Sequence, residues 1–237
     1  MSLWSGTKPV RQCKSRSQFC HQASENTKEK ALMLPSQPQY LCLSCLISLM
    51  EEPYRSGCLR LYADHCERFE QAWGASHNHQ AWRGGYKDHV SEVMNLGVQF
   101  YQVMNKLRPL PFSLSDTLLC LFFHDIEKPW KYLEGGSDET PTPRFKNKAE
   151  RHAFRMGLAT EYNIPLTEEH IKGIRYAEGE PDEEYSPTHR VMTPLASFVH
   201  ACDNLSARLW FDFPLAKNDP WATAGRLRST DNGHKPS

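Results

Sequence analysis

This sequence lacks an excess of charge of either sign, an apolar run of membrane length and any alternating strand pattern. Each absence removes a class of function. Acidic and basic residues number 28 each in 237, so no global field draws nucleic acid or an anionic membrane to the chain. The longest apolar stretch, Tyr40 to Met50, is about half of the ~20 residues that a membrane-spanning helix needs. Hydrophobic residues at 39% and charged residues at 24% are ordinary for a globular protein. The length suits one good-sized domain with flanking segments, or two small ones.

The eight cysteines do not form a disulfide or zinc pattern. Cys120 and Cys202 lie in apolar helical patterns and read as buried thiols. The others, Cys13, Cys20, Cys42, Cys45, Cys58 and Cys66, fall near the N-terminus. Cys42-x-x-Cys45 has the spacing of half a zinc knuckle, but no second pair at matching spacing follows. Reduced cytosolic thiols are the expectation, and with them a cytoplasmic protein. Residues 1–50 are rich in Ser, Gln, Lys and Cys without a sustained period, and read as an atypical or poorly ordered extension. They fit a signal peptide poorly, because no Ala-x-Ala-like site follows the apolar run. A helical domain is expected over 51–215 and a polar tail over 216–237.

Helical periodicity runs through the central region. Leu59 to Trp73 forms one amphipathic segment. From Tyr86, the residues Val90, Val93, Met94, Gly97, Val98, Tyr101, Met104 and Leu107 recur at three- and four-residue steps, one face of a long helix. Ser113 with Asp116 resembles a capping box before Leu118–Ile126. Arg144 to Tyr162 carries Ala149, Ala153, Met156 and Ala159 on one side and exits at Asn163-Ile164-Pro165. Thr167 caps a short helix, and Thr193-Pro194 opens the last one. The expected fold is an all-α, compact multi-helix bundle.

The most informative run is Leu118-Leu119-Cys120-Leu121-Phe122-Phe123-His124-Asp125. Burying an imidazole and a carboxylate costs several kcal/mol unless each finds a partner. A divalent metal is an economical one, because neutral His and ionised Asp are both ordinary ligands. His89, in the first turn after Gly84-Gly85, and Asp203, beside the apolar stripe of the last helix, bring the ligand-type residues to four on three helices. Bundles build metal sites in this way.

Gly84-Gly85-Tyr86-Lys87-Asp88-His89, then His124-Asp125, then Asp203 in Ala201-Cys202-Asp203-Asn204, resemble the H…HD…D signature of the HD-domain superfamily of metal-dependent phosphohydrolases. The resemblance covers roughly residues 77 to 208. It implies a compact helical fold with a metal site in its core, and His89, His124, Asp125 and Asp203 as the ligands. It also implies hydrolysis of a nucleotide or related small phosphate ester by a metal-activated water. Lys128 stands at the lysine of the His-Asp-x-Gly-Lys form, where a cation would meet a substrate phosphate, and Glu127 replaces the glycine. His152 falls where members with two metals carry another histidine. Their His-His pair is replaced here by Tyr176-Ala177-Glu178, so one ion is preferred, with Glu178 as a substitute ligand for a second.

Asp125 is expected to orient the attacking water, and Glu127 to act as general acid or base if it points into the cleft. Among Lys128, Arg144, Lys146, Lys148, Arg151 and Arg155, only Lys128 and Arg151 are expected to hold phosphate, the rest forming a solvated helix face. His152 stands between a substrate-binding role and an ordinary surface position. His77, His79, His170, His200, Trp82 and Trp130 are as well explained by loops, caps and packing. The ligand types leave Mn, Mg, Zn, Fe, Co and Ni undistinguished. Two alternatives stay open: a nuclease acting on single strands, which the neutral charge disfavours, and a catalytically inactive nucleotide-binding or interaction domain. The sequence does not specify an oligomeric state.

Overall fold

The Gly84-Gly85 turn sets the geometry of the domain, and the reason is steric. In the computed structural model, which describes residues 38–76, 79–131, 145–180, 186, 188, 191–211 and 221, Gly84 takes φ 83° as the N-cap of a long helix. L side chains rarely adopt that conformation. A Cβ on Gly85 would stand 1.9 Å from the Gln80 carbonyl oxygen, so only glycine fits there too. The helix that follows, α4 (Gly85–Leu107), is buried on all sides from Asp88 to Val98. Its last turns emerge, leaving Met104 and Leu107 48% and 73% exposed. The expected stripe therefore meets the core only in its first half.

Among the described residues the chain is mostly helical, with no strand beyond isolated bridging pairs. Preceding α4 are α1 (Leu43–Ser48), α2 (Tyr54–Asp64) and α3 (Cys66–Gln71); α5 (Leu114–Phe123), α6 (Lys128–Lys131), α7 (Lys148–Glu161), α8 (Glu168–Arg175) and α9 (Pro194–Leu209) follow it. α5 is the centre of the core and packs on α4, α8 and α9. The predicted capping box opens it: Ser113 accepts from the Asp116 backbone, and Asp116 accepts from the Ser113 backbone. Leu118 through Phe123 are then fully buried, six side chains in succession.

Three expectations need correction. The Leu59–Trp73 segment is two helices, because the chain turns at His65 (φ −121°) between α2 and α3. On α7 only the end of the expected stripe is buried: Ala149 and Ala153 are exposed, while Ala159 points inward together with Arg155 and Leu158. The boundary at residue 50 places α1 in an extension, yet Leu43, Leu46, Ile47 and Met50 are at most 1% exposed and belong to the core. Polar contacts hold this segment as well. The Asn95 side chain receives the Leu41 N–H at 2.8 Å and donates to the Leu41 carbonyl at 2.9 Å, and the Glu51 N–H donates to Ser115 Oγ at 2.9 Å. Arg144, His77 and residues 1–37 lie outside the described residues.

Candidate metal centre

Three helices bring the four predicted ligands together. α4 presents His89 one turn from its start, the end of α5 presents His124 and Asp125, and α9 presents Asp203. Their ligand atoms converge. His89 Nε2 stands 3.2 Å from His124 Nε2 and 3.1 Å from Asp203 Oδ1. His124 Nε2 is 3.5 Å from Asp203 Oδ1 and 3.3 Å from Asp125 Oδ2, and His89 Nε2 is 3.7 Å from the same Asp125 oxygen. Ligands bound at ~2.0–2.2 Å to one ion sit roughly 3.0–3.5 Å apart, so this spacing fits a metal. The four groups could hold one ion.

The surroundings of the two imidazoles turn their Nε2 lone pairs toward that point. His124 Nδ1 donates to the Leu121 carbonyl at 2.6 Å, a bond within its own helix turn. His89 Nδ1 is 3.2 Å from Ser206 Oγ, whose own proton goes to Glu92 Oε2 at 2.7 Å. Ser206 therefore accepts from His89. With both Nδ1 atoms donating, both Nε2 atoms present lone pairs, the tautomer a metal requires. Gln80 Nε2, 3.3 Å from Glu92 Oε2, continues the chain to the loop before α4.

Two lone pairs facing each other beside two carboxylates repel unless a positive charge joins them. Among the described residues, the carboxylates Asp125, Asp203, Glu127 and Glu92 around the centre also outnumber the buried cations Lys128 and Arg155. Burial pushes the His124 imidazole down, but Asp125 and Asp203 outweigh it and raise it to about 10. His89 is lowered by burial together with the charges of Lys128 and His124. Burial raises both carboxyls, but Lys128 and His124 hold Asp125, and His124 and His89 hold Asp203, well below the usual carboxylate range.

The remaining predicted residues have different roles. Lys128, 8% exposed, forms an ion pair with Asp125 Oδ2 across one turn. Glu127 does not face an open cleft. Both its oxygens accept from Arg155, Nε to Oε2 at 2.7 Å and Nη2 to Oε1 at 2.9 Å, which removes it as a free acid or base. Arg151 stands half-buried between Glu127 at 3.7 Å and Glu178 at 3.9 Å. His152 and Glu178 join no ligand group among the described residues. His170 caps α8 and meets Asp116 Oδ1 at 2.8 Å, and His200 donates to the Ala177 carbonyl at 2.7 Å. Trp82 donates to Asp88 at 2.9 Å, and Trp130 packs on His65 and Phe154.

Several neighbours of the centre are not evident from sequence. Arg155, 5% exposed, also approaches Asp125 Oδ1 at 3.5 Å. His79 lies with its ring 4.9 Å from that of His89 and Nε2 3.4 Å from Lys128 Nζ. Burial, with the charges of His89 and Lys128, lowers His79 to about 3. The Tyr86 hydroxyl is fully buried without a hydrogen-bond partner among the described residues, and senses Asp125, Glu127 and Arg155. A cleft of about 580 Å³ lined by Pro53, Met156, Ile164 and Ile171 contains none of the ligands. No helix among the described residues is long and apolar enough to cross a membrane. No protein-family model, curated protein or solved structure matches the chain.

Proposed function

We propose that the protein is a metal-dependent phosphohydrolase of the HD-domain type, acting on a nucleotide or a related small phosphate ester. One observation carries the reading: two imidazole Nε2 atoms from distant parts of the chain stand 3.2 Å apart, and one oxygen of Asp203 and one of Asp125 each lie within 3.1–3.7 Å of both. A divalent cation held there supplies Lewis acidity toward a phosphoryl oxygen and acidifies water. The protein's own groups do the rest. Asp125 and Asp203, both held ionised, accept hydrogen bonds from the attacking water and orient it. Lys128 donates to a phosphate oxygen, with the half-buried Arg151 behind it. Glu127 is a positioning residue that fixes Arg155 against Asp125.

Burial points to a small substrate. His89 and His124 are 0% and 1% exposed, and the Asp203 side chain, at 15%, is the most open of the four. That near-closure also favours one other reading, a catalytically silent nucleotide-binding domain. A nucleotide panel separates them. With Mn²⁺, Co²⁺ or Mg²⁺, the full-length protein releases phosphate or pyrophosphate from a member of the panel. Asp125→Ala reduces that release to background with helical content unchanged. Release persisting in the variant would rule out the centre, and a nucleotide-dependent rise in Tm without turnover would favour the silent domain.

A further inference from the structure

Outside the ligand cluster, two cysteine side chains meet at the start of α1. Cys42 Sγ lies 2.9 Å from Cys45 Sγ and 3.3 Å from Ser44 Oγ. The sulfurs are thus within about 1 Å of the ~2.05 Å of a bonded pair, so closure asks for side-chain adjustment rather than backbone movement. The backbone around them is fixed. Leu43, Leu46 and Ile47 are at most 1% exposed, and the Leu41 N–H and carbonyl are both bonded to the Asn95 side chain. The sulfurs themselves lie at the surface: Cys42 is exposed and Cys45 half-buried. The other described cysteines, Cys58, Cys66, Cys120 and Cys202, are buried. Burial pushes the thiols of Cys58, Cys120 and Cys202 up, which keeps them protonated and unreactive.

We propose that Cys42 and Cys45 form a redox dithiol, a modification site that closes to a disulfide by exchange with a low-molecular-weight disulfide. The inference is independent of the metal reading. The Cys42 thiolate, the exposed member, attacks one sulfur of the small disulfide; a mixed disulfide forms and one small thiolate leaves. The Ser44 hydroxyl is placed to donate to the attacking sulfur. The Cys45 thiolate then attacks Cys42 Sγ, forms the Cys42–Cys45 bond and expels the second small thiolate. The pair gives up two electrons and two protons. The small disulfide takes the electrons, and the two thiolates it yields take the protons. Because the second attack starts from a neighbouring sulfur, it outpaces attack by any thiol in solution, and no adduct stays on Cys42.

Peptide mapping tests this, with oxidised glutathione as the probe. The full-length protein is reduced, freed of reductant, exposed to the probe at neutral pH, alkylated with iodoacetamide and cut with trypsin. The cut releases residues 31–55, in which Cys42 and Cys45 are the only cysteines. The expected product is that peptide lighter by two hydrogens, unalkylated and free of glutathione, with no glutathione on Cys58, Cys66, Cys120 or Cys202. Cys45→Ser, its helical content checked by circular dichroism, is expected to retain one glutathione on Cys42. Glutathione retained on wild-type Cys42 or Cys45, a bond from either to Cys13 or Cys20, or a pair left fully alkylated would overturn the inference. So would a folded Cys45→Ser with Cys42 unmodified. Zinc bound by the wild type at one per chain and lost in Cys45→Ser would make the pair metal ligands and overturn it as well. The wild-type map decides the pairing even if Cys45→Ser does not fold.

Discussion

Arg155 has the most demanding environment of any residue around the centre. Its guanidinium is almost fully buried, bound through two nitrogens to Glu127, with a third donating to the Ile174 carbonyl at 3.4 Å. Removing one member of a buried pair leaves the other charge desolvated and alone. Arg155→Ala is expected to cost about 3–5 kcal/mol in urea unfolding, and Arg155→Met with Glu127→Leu to recover most of it. A cost below about 1 kcal/mol for Arg155→Ala would show that water reaches Glu127. Sequence did not reveal this pair, because an arginine four residues after another in a helix reads as solvated surface. The His124-Asp125 corner was legible for the opposite reason: a His-Asp pair closing six apolar residues has no inexpensive solution in a core.

At the scale of the element, the capping boxes matter most. α5 carries the His124-Asp125 corner, and its start is held by Ser113 and Asp116 with His170 from α8. Burial raises the Asp116 carboxyl, but bonds from the Ser113 backbone, the His170 ring and the Ser113 hydroxyl outweigh it and hold it below the usual range. A lowered carboxyl contributes stability that is complete above its unfolded value and is lost as pH falls through the folded one. Ser113→Ala is expected to cost about 1 kcal/mol at neutral pH. Asp116→Asn should flatten the acid limb of the stability–pH curve below the ordinary value of 3.8. An unchanged acid limb would show that Asp116 titrates alike in both states. Such caps were readable because they depend on local chemistry. The break at His65 and the inward face of α7 were not, since each is decided by what packs opposite: Tyr162 and Trp130 against His65, and Glu127 against Arg155.

Across the described part of the molecule, α4, α5 and α9 pack on one another and meet at the ligand cluster. A helical bundle followed from periodicity, whereas the set His89, His124, Asp125 and Asp203 and its order came from the resemblance to the HD signature. The place of α1 came from neither, because a six-residue helix has too few turns to show a period, and its link to Asn95 spans 54 positions in sequence. A cation binding to the folded chain at this junction raises Tm through the same contacts that hold the three helices together. The most direct test is a Co²⁺ titration of metal-stripped full-length protein, followed by visible absorption. The expected result is a protein-specific d–d spectrum that saturates at one Co²⁺ per chain and is lost in Asp203→Ala. A spectrum that stays that of the hydrated ion throughout would contradict a shared cation at His89, His124, Asp125 and Asp203.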